Sequence, residues 1–221
     1  LRKDLHKLIQ MIKSKYPKLE IALTTNGSLL KLNSIKLKKS GLDRITISLD
    51  SLDPDLFKHM NDTKIPVSQV LDGIHHAIDS GIRDIKINCV LKKGVNESQI
   101  FPLIEYFKNK KVTLRFIEFM DVGNSNNWDL NQVLTKNEIL KKINQKYNFI
   151  ELGREKVSDV AEQFIDNSRN QKIEIISSIS QPFCSNCTRA RLSSEGKLYT
   201  CLFGFNSFNL IICKKNMIFI F

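Results

Sequence analysis

The first 150 residues alternate helical and strand periods, and that alternation narrows most what this chain can fold into. "LRKDLHKLIQMIKSKY" sets Leu1, Leu5, Leu8, Ile9 and Ile12 on one helical face, and Pro17 ends the run. "LEIALTTNG" reads as a buried strand running into a polar turn at Asn26-Gly27. A helix over about 29–40 and the strand "DRITISLD" come next. Asp53 and Pro54 form a helix start, a capping carboxylate followed by proline at the first helical position. "VSQVLDGIHHAIDSG" carries Val67, Val70, Leu71, Ile74, Ala77 and Ile78 on one face, with Gly81 as its stop. Then come the strand "DIKINCVL", a helix over about 97–109 bearing Ile100, Leu103, Ile104 and Phe107, and the strand "TLRFIEFM". Thr135 and Glu138 make a capping box for a helix with Ile139, Leu140 and Ile143 inward.

Four β-then-α units spaced by roughly 20–40 residues argue for an α/β fold, a parallel sheet with helices outside it. Neither a GxGxxG dinucleotide fingerprint nor a P-loop occurs, so a partial (β/α) barrel is the expected architecture. In such barrels functional residues gather at the C-terminal ends of the strands. Those ends here read Thr24-Thr25-Asn26, Ser48 to Asp50, Asn88-Cys89 and Glu118 to Met120, polar for strand ends. Lys86 lies inside a strand, where a lysine facing a barrel interior needs an anion. Residues 151–172 read as irregular polar linker with a short helix at most, followed by a strand over about 173–180, "IEIISSIS". The division expected is 1–150 as partial barrel, 151–204 as a C-terminal region holding the cysteines, and 205–221 as an unassigned apolar tail.

Lys and Arg outnumber Asp and Glu by 34 to 23, a net charge of +11, which favours anionic partners without choosing among them. A nucleic-acid surface would want aromatic platforms among the basic residues, whereas the phenylalanines fall mostly on apolar positions. The N-terminal stretch lacks an apolar signal region, and "NLIICKKNMIFIF" is broken by Lys214 and Lys215 before it reaches a membrane span. His75 and His76 are adjacent on a helix and point different ways, so they do not share a metal.

Three of the five cysteines crowd into "FCSNCTRARLSSEGKLYTCLFG": Cys184, Cys187 and Cys201, spaced C-x2-C-x13-C. Clustered thiols of this kind point to metal sooner than to disulfides. Thiolates bind zinc or iron–sulfur clusters, and three of them leave one coordination position open on either. Cys213 is a candidate fourth ligand, and Cys89, inside a strand, reads as a small buried apolar residue. Arg189 and Arg191 alternate in "TRARLS", so a strand there would turn both to one face. Arginine forks match phosphate oxygens, which suggests a phosphate-bearing ligand that also touches the metal. The alternative is a structural zinc with the arginines pairing surface acids.

The cysteine segment resembles the C-terminal cluster motif of the molybdenum cofactor biosynthesis protein A family, radical S-adenosylmethionine (SAM) enzymes that act as GTP 3′,8-cyclases. "LTTNGSLL", "RITISLDSLDPDLF", "VLKKGVN" and "RFIEFMDVGNSNNW" match the same family in order and spacing, over about residues 1–204. The resemblance implies an incomplete (β/α)6 radical-SAM barrel, two 4Fe-4S clusters, and reductive cleavage of S-adenosyl-L-methionine to a radical that takes hydrogen from GTP. It implies that Cys184, Cys187 and Cys201 ligate the C-terminal cluster, whose open iron holds the purine. GTP contacts then fall to Thr24, Lys86, Arg115, Arg189 and Arg191, and SAM contacts to Ser48 and Met120. It further implies a homodimer as one assembly to expect, a functional link to cyclic pyranopterin monophosphate synthase, and a cytoplasmic or, in a eukaryote, mitochondrial-matrix setting.

Two departures stand beside the match. The C-x3-C-x2-C motif of the SAM-cleaving cluster does not occur, and "FNSFNLIICKKNMIFIF" does not resemble the family's C-terminus. The expectation is therefore a piece of such an enzyme, unable by itself to cleave SAM. The alternative is a non-catalytic iron–sulfur or zinc module that binds a nucleotide.

Overall fold

The computed structural model describes residues 2–121 and 128–210. Leu1, positions 122–127 of "RFIEFMDVGNSNNW", Cys213 and the rest of the tail lie outside them.

Helix α1 (Leu5–Lys15) leads into β1 (Ala22–Thr25), and α2 (Leu30–Lys39) into β2 (Arg44–Ser48). After β2 come α3 (Pro54–Asn61) and α4 (Val67–Asp79), then β3 (Asp84–Leu91), α5 (Ile100–Phe107), β4 (Thr113–Glu118) and α6 (Lys136–Ile143). The expected caps are present. The Asp53 side chain accepts from Leu56 N at 2.8 Å, and Thr135 and Glu138 close a reciprocal capping box at α6.

Residues 151–172 depart from the expected linker. They contain β5 (Ile150–Gly153) and β6 (Glu162–Asp166), an antiparallel meander that ends in β7 (Gln171–Ile176). The strand period of β6 is hidden because two of its inward residues, Glu162 and Asp166, are charged, with only Phe164 apolar between them. Buried ion pairs and hydrogen bonds replace apolar contacts there. Lys136 Nζ lies 2.6 Å from Glu162, and Asp166 accepts from Asn148 N and Ser168. The strand expected over 173–180 stops at Ile176, because the next residues turn to bind Glu118.

The seven strands form one mixed sheet in the order β1-β2-β3-β4-β7-β6-β5, parallel from β1 through β7. Strand order advances in one direction from β1 to β4, and right-handed crossovers then put every helix on the same side, as in a barrel and unlike a doubly wound sheet. The edges β1 and β5 do not pair among the described residues, so the α/β barrel is partial and open. One continuous core joins the helices to the sheet face made by Ile45, Ile47, Ile85, Ile87, Leu114, Phe116, Ile173 and Ile175, each at most 2% exposed. The opposite face carries the polar alternates of the same strands, which follows from the two-residue side-chain period. Among the described residues, no helix is long and apolar enough to cross a membrane.

The turn after β1 is held tightly. Gly27 adopts φ +78°, and a Cβ on Gly73 of α4 would sit 2.5 Å from the Gly27 carbonyl oxygen. Only glycine at both positions allows α4 to approach the turn this closely.

Candidate functional site

On the helix-free face, strand register fixes which side chains are neighbours. Thr24, Thr46, Lys86 and Thr113 form one row of Cα partners across β1 to β4. Ser48, Asn88, Arg115 and Glu174 form a second row, two residues nearer the strands' C-terminal ends on β2 and β3. Thr24, Ser48, Lys86 and Arg115 are thereby brought to one wall.

Glu174 on β7, which sequence reasoning passed over, joins the two cations. Its carboxylate lies 3.0 Å from Lys86 Nζ and accepts from Arg115 Nε at 2.7 Å, with Arg115 Nη2 at 2.5 Å. Lys86 and Arg115 keep only 21% and 15% of their side chains exposed, and Glu174 keeps 7%. A charge inside an otherwise apolar strand, "KIEII", was the signal available, the same one that singled out Lys86. Beside this cluster the Asn88 Oδ1 atom is buried with no hydrogen-bond partner among the described residues.

Ser48 also lines a small cavity of ≈ 190 Å³ with Asn26, Asn61 and Thr63. The ends of β2 and β3 are tied together just past it. Asn96, fully buried, donates to Asp50 O at 2.9 Å and Val90 O at 2.8 Å and accepts from Lys92 N. Asn96 is the asparagine of "VLKKGVN", so part of that motif clamps two strand ends. Asp50 Oδ1 accepts from Val90 N at 2.8 Å, and burial pushes its carboxyl up to about 6 against the pull of that bond. Cys89 is fully buried against Asp50 O, as its strand position implied, and burial pushes its thiol well up.

Met120 follows β4 and is half-buried. Two residues before it, Glu118 is fully buried and organises the surrounding chain. It accepts from Lys136 N at 2.7 Å, from Ile179 N and Ser180 N at 2.8 Å each, and from Ser180 Oγ. Lys136 Nζ reaches Gln181 Oε1 at 2.7 Å and Glu162 at 2.6 Å, and Arg154 adds a second ion pair to Glu162 at 2.9 Å. The chain leaving β7 is thus fastened to the C-terminal end of β4 through Ser180, four residues before Cys184. The cysteine segment starts at the end of the sheet where barrel chemistry is expected.

A 3-10 turn over Cys184–Asn186 brings Cys187 N to within 3.2 Å of Cys184 O. The strands β8 (Arg191–Leu192), β9 (Lys197–Tyr199) and β10 (Phe208–Asn209) then make a small antiparallel sheet. Arg189 lies before β8, so the expected strand covering both arginines is shorter than supposed. Both are half-buried, on either side of exposed Ala190. Arg189 stacks its guanidinium over Phe183 at 5.0 Å. The Arg189 backbone N–H and the charges of Arg189 and Arg191 hold the Cys187 thiol below its usual range. Arg191 Nη1 is buried without a hydrogen-bond partner among the described residues.

Cys184, Cys187 and Cys201 are all free and exposed. Among the described residues no three His, Cys, Asp or Glu side chains stand grouped to hold a metal ion, so the thiols are not seen as an assembled ligand set. Their chemistry fits a soft metal or a cluster: free sulfurs on a C-x2-C turn, one of them biased toward thiolate. His75 stacks on Tyr106 and His76 bonds to Asp72 O, so the two histidines serve different neighbours.

Comparison with known proteins adds a second line. Residues 1–107 match the family model described as the radical SAM superfamily, and residues 112–213 the one described as Molybdenum Cofactor Synthesis C. A protein of Staphylococcus epidermidis named GTP 3′,8-cyclase is 44% identical over 203 residues, covering 92% of this chain and 59% of its own length. One of Staphylococcus saprophyticus with the same name is 45% identical over 210 residues, covering 93% and 62%. The chain therefore spans about three fifths of the length of these curated relatives. Among solved structures, Streptococcus suis SuiB bound to S-adenosylmethionine superposes over 95% of this chain and 49% of its own, with TM-score 0.65 at 15% identity, a likeness of fold alone.

Proposed function

The chain belongs to the family of GTP 3′,8-cyclases of molybdenum cofactor biosynthesis, and on that premise we propose that it supplies the nucleotide-binding wall and cysteine segment of such an enzyme. The observation that carries this reading is the convergence of Lys86 and Arg115, from diagonal positions on adjacent strands of the helix-free face, on the single carboxylate of Glu174: two part-buried cations share one internal anion, which leaves a positive charge over for an anionic ligand. Lys86 and Arg115 take phosphate oxygens of GTP, and Thr24 supplies a hydroxyl beside them. Arg189 and Arg191 approach the same ligand from the cysteine segment, which is fastened to that end of the sheet through Glu118 and Lys136. Ser48 and Met120 hold S-adenosylmethionine at the strand ends.

Cys184, Cys187 and Cys201 would hold a 4Fe-4S cluster, whose chemistry when bound is to offer one iron position to the guanine ring. The Arg189 backbone N–H, and after it the two guanidiniums, favour the Cys187 thiolate, the form a cluster needs. A SAM-cleaving cluster needs three further cysteines in C-x3-C-x2-C spacing, which this sequence does not contain. Within the reaction, the residues present bind and orient GTP so that ribose and guanine face one another. The cyclised product is then passed to a cyclic pyranopterin monophosphate synthase, and the working unit is a homodimer.

The test is a titration of the anaerobically reconstituted chain with GTP and, separately, ATP. Binding selective for GTP supports the reading. Equal binding of both nucleotides, or of neither, removes it.

A further inference from the structure

Glu174 stands where an incoming phosphate would put its own negative charge. Its two carboxylate oxygens divide between Lys86 at 3.0 Å and Arg115 at 2.7 Å, so each cation already has an anion before any ligand arrives. Lys86, Arg115 and Glu174 sit on adjacent strands β3, β4 and β7, and Glu174 is the directly registered Cα partner of Arg115. The triad carries one net positive charge instead of two. A wall built only to bind anions as tightly as possible would omit the acid.

We propose that Glu174 is an internal competitor that sets the anion affinity of the subsite formed by Lys86 and Arg115. It holds both cations in place when no ligand is bound and gives way, in part, when a phosphate group takes their outward donors. The consequence is a site that releases anionic product and discriminates by ligand charge, at the expense of raw affinity. This proposal rests on the reading of Lys86 and Arg115 as phosphate contacts given above.

Inorganic triphosphate is the probe, because it reports the charge of the subsite without the guanine contacts. It is titrated into the 221-residue chain and into Glu174→Gln at two salt concentrations. The proposal expects Glu174→Gln to bind triphosphate about tenfold more tightly, since two part-buried cations then lose the anion they share among the described residues. A steeper loss of affinity with added salt should accompany it. Thermal unfolding of Glu174→Gln without ligand should come at lower temperature, with triphosphate raising it by more than in the unsubstituted chain. Glu174→Asp, which keeps the charge but withdraws it by one methylene, should stay within about threefold of the unsubstituted affinity, and it covers the case in which Glu174→Gln does not fold.

Equal or weaker binding by a folded Glu174→Gln overturns the proposal, as does a tenfold change in Glu174→Asp. Lys86→Ala separates the two levels. If Lys86→Ala leaves triphosphate affinity unchanged, or if the unsubstituted chain binds none, the underlying phosphate reading fails. If Lys86→Ala weakens binding while Glu174→Gln does not tighten it, only the competitor role falls.

Discussion

Glu174 on β7 and Arg115 on β4 are directly registered partners, joined by an Nε–oxygen contact of 2.7 Å and sharing the carboxylate with Lys86 on β3. Three strands far apart in sequence are locked by one acid on the face that carries no helix. That face, and not the surface cleft of ≈ 690 Å³ near Lys38, Lys39 and Arg83 at the strands' N-terminal ends, is where the polar residues converge. The predictions below test this convergence and the structure that supports it.

Iron retention should depend on Cys184, Cys187 and Cys201 and not on Cys89. Each of the three is exposed and free, whereas Cys89 is buried in the sheet. After anaerobic reconstitution the chain should hold about four irons and as many sulfides. Single serine substitutions at any of the three should abolish that content, and Cys89→Ala should leave it. One zinc per chain with no sulfide would favour a zinc module instead.

Asp50 should make stability fall as pH rises. Its folded value of about 6 lies above the usual 3.8, so the folded state holds the proton more tightly between those two pH values. The stabilisation is complete below pH 3.8 and is lost as pH rises through about 6. At about 1.4 kcal/mol per pKa unit the loss is on the order of 3 kcal/mol. The neighbours facing Asp50 are Val90 N–H, the Asn96 amide and the Cys89 thiol, none of which titrates in that window. Denaturant unfolding from pH 4 to pH 7 should show this decline relative to Asp50→Asn. A constant difference between the two proteins would contradict the assignment.

Glu118→Ala should destabilise the fold by about 3–5 kcal/mol, because a fully buried carboxylate with four hydrogen-bond donors is removed and the donors are left unpaired. Chemical denaturation reads the loss directly. Since Glu118 also fastens residues 179 and 180, cluster retention should fall in the same variant while Cys89, fully buried on the neighbouring strand, stays protected from alkylation at low denaturant.

Much of this was legible in the sequence, for identifiable physical reasons. The helices and parallel strands up to α6 announce themselves because each buries an apolar stripe with its own period, and Asp53, Thr135 and Glu138 cap where their side chains can reach backbone N–H groups. Of the meander, β7 was expected in part, whereas β6 was not legible because Glu162 and Asp166 occupy inward positions that sequence patterns reserve for apolar residues. Charges there are satisfied by Lys136, Arg154 and Ser168, partners fixed only by the tertiary fold. Lys86 and Arg115 were found as candidate ligand contacts, yet Glu174 was missed, since its pairing crosses from residue 86 to 174. The arginines beside Cys187 were expected to share a face through a strand. Arg189 precedes β8, so the short strand takes in Arg191 alone.

The central claim is that Lys86 on the sheet and Arg189 in the cysteine segment serve one ligand, and a double-substitution cycle on GTP affinity tests it most directly. Arg189→Ala should weaken GTP binding by about 1.5–3 kcal/mol, as should Lys86→Ala, each removing a charged hydrogen bond to the same nucleotide. The double variant should lose at least as much as either single variant, while ATP binding stays weak throughout. Unchanged GTP affinity in either single variant would contradict the claim.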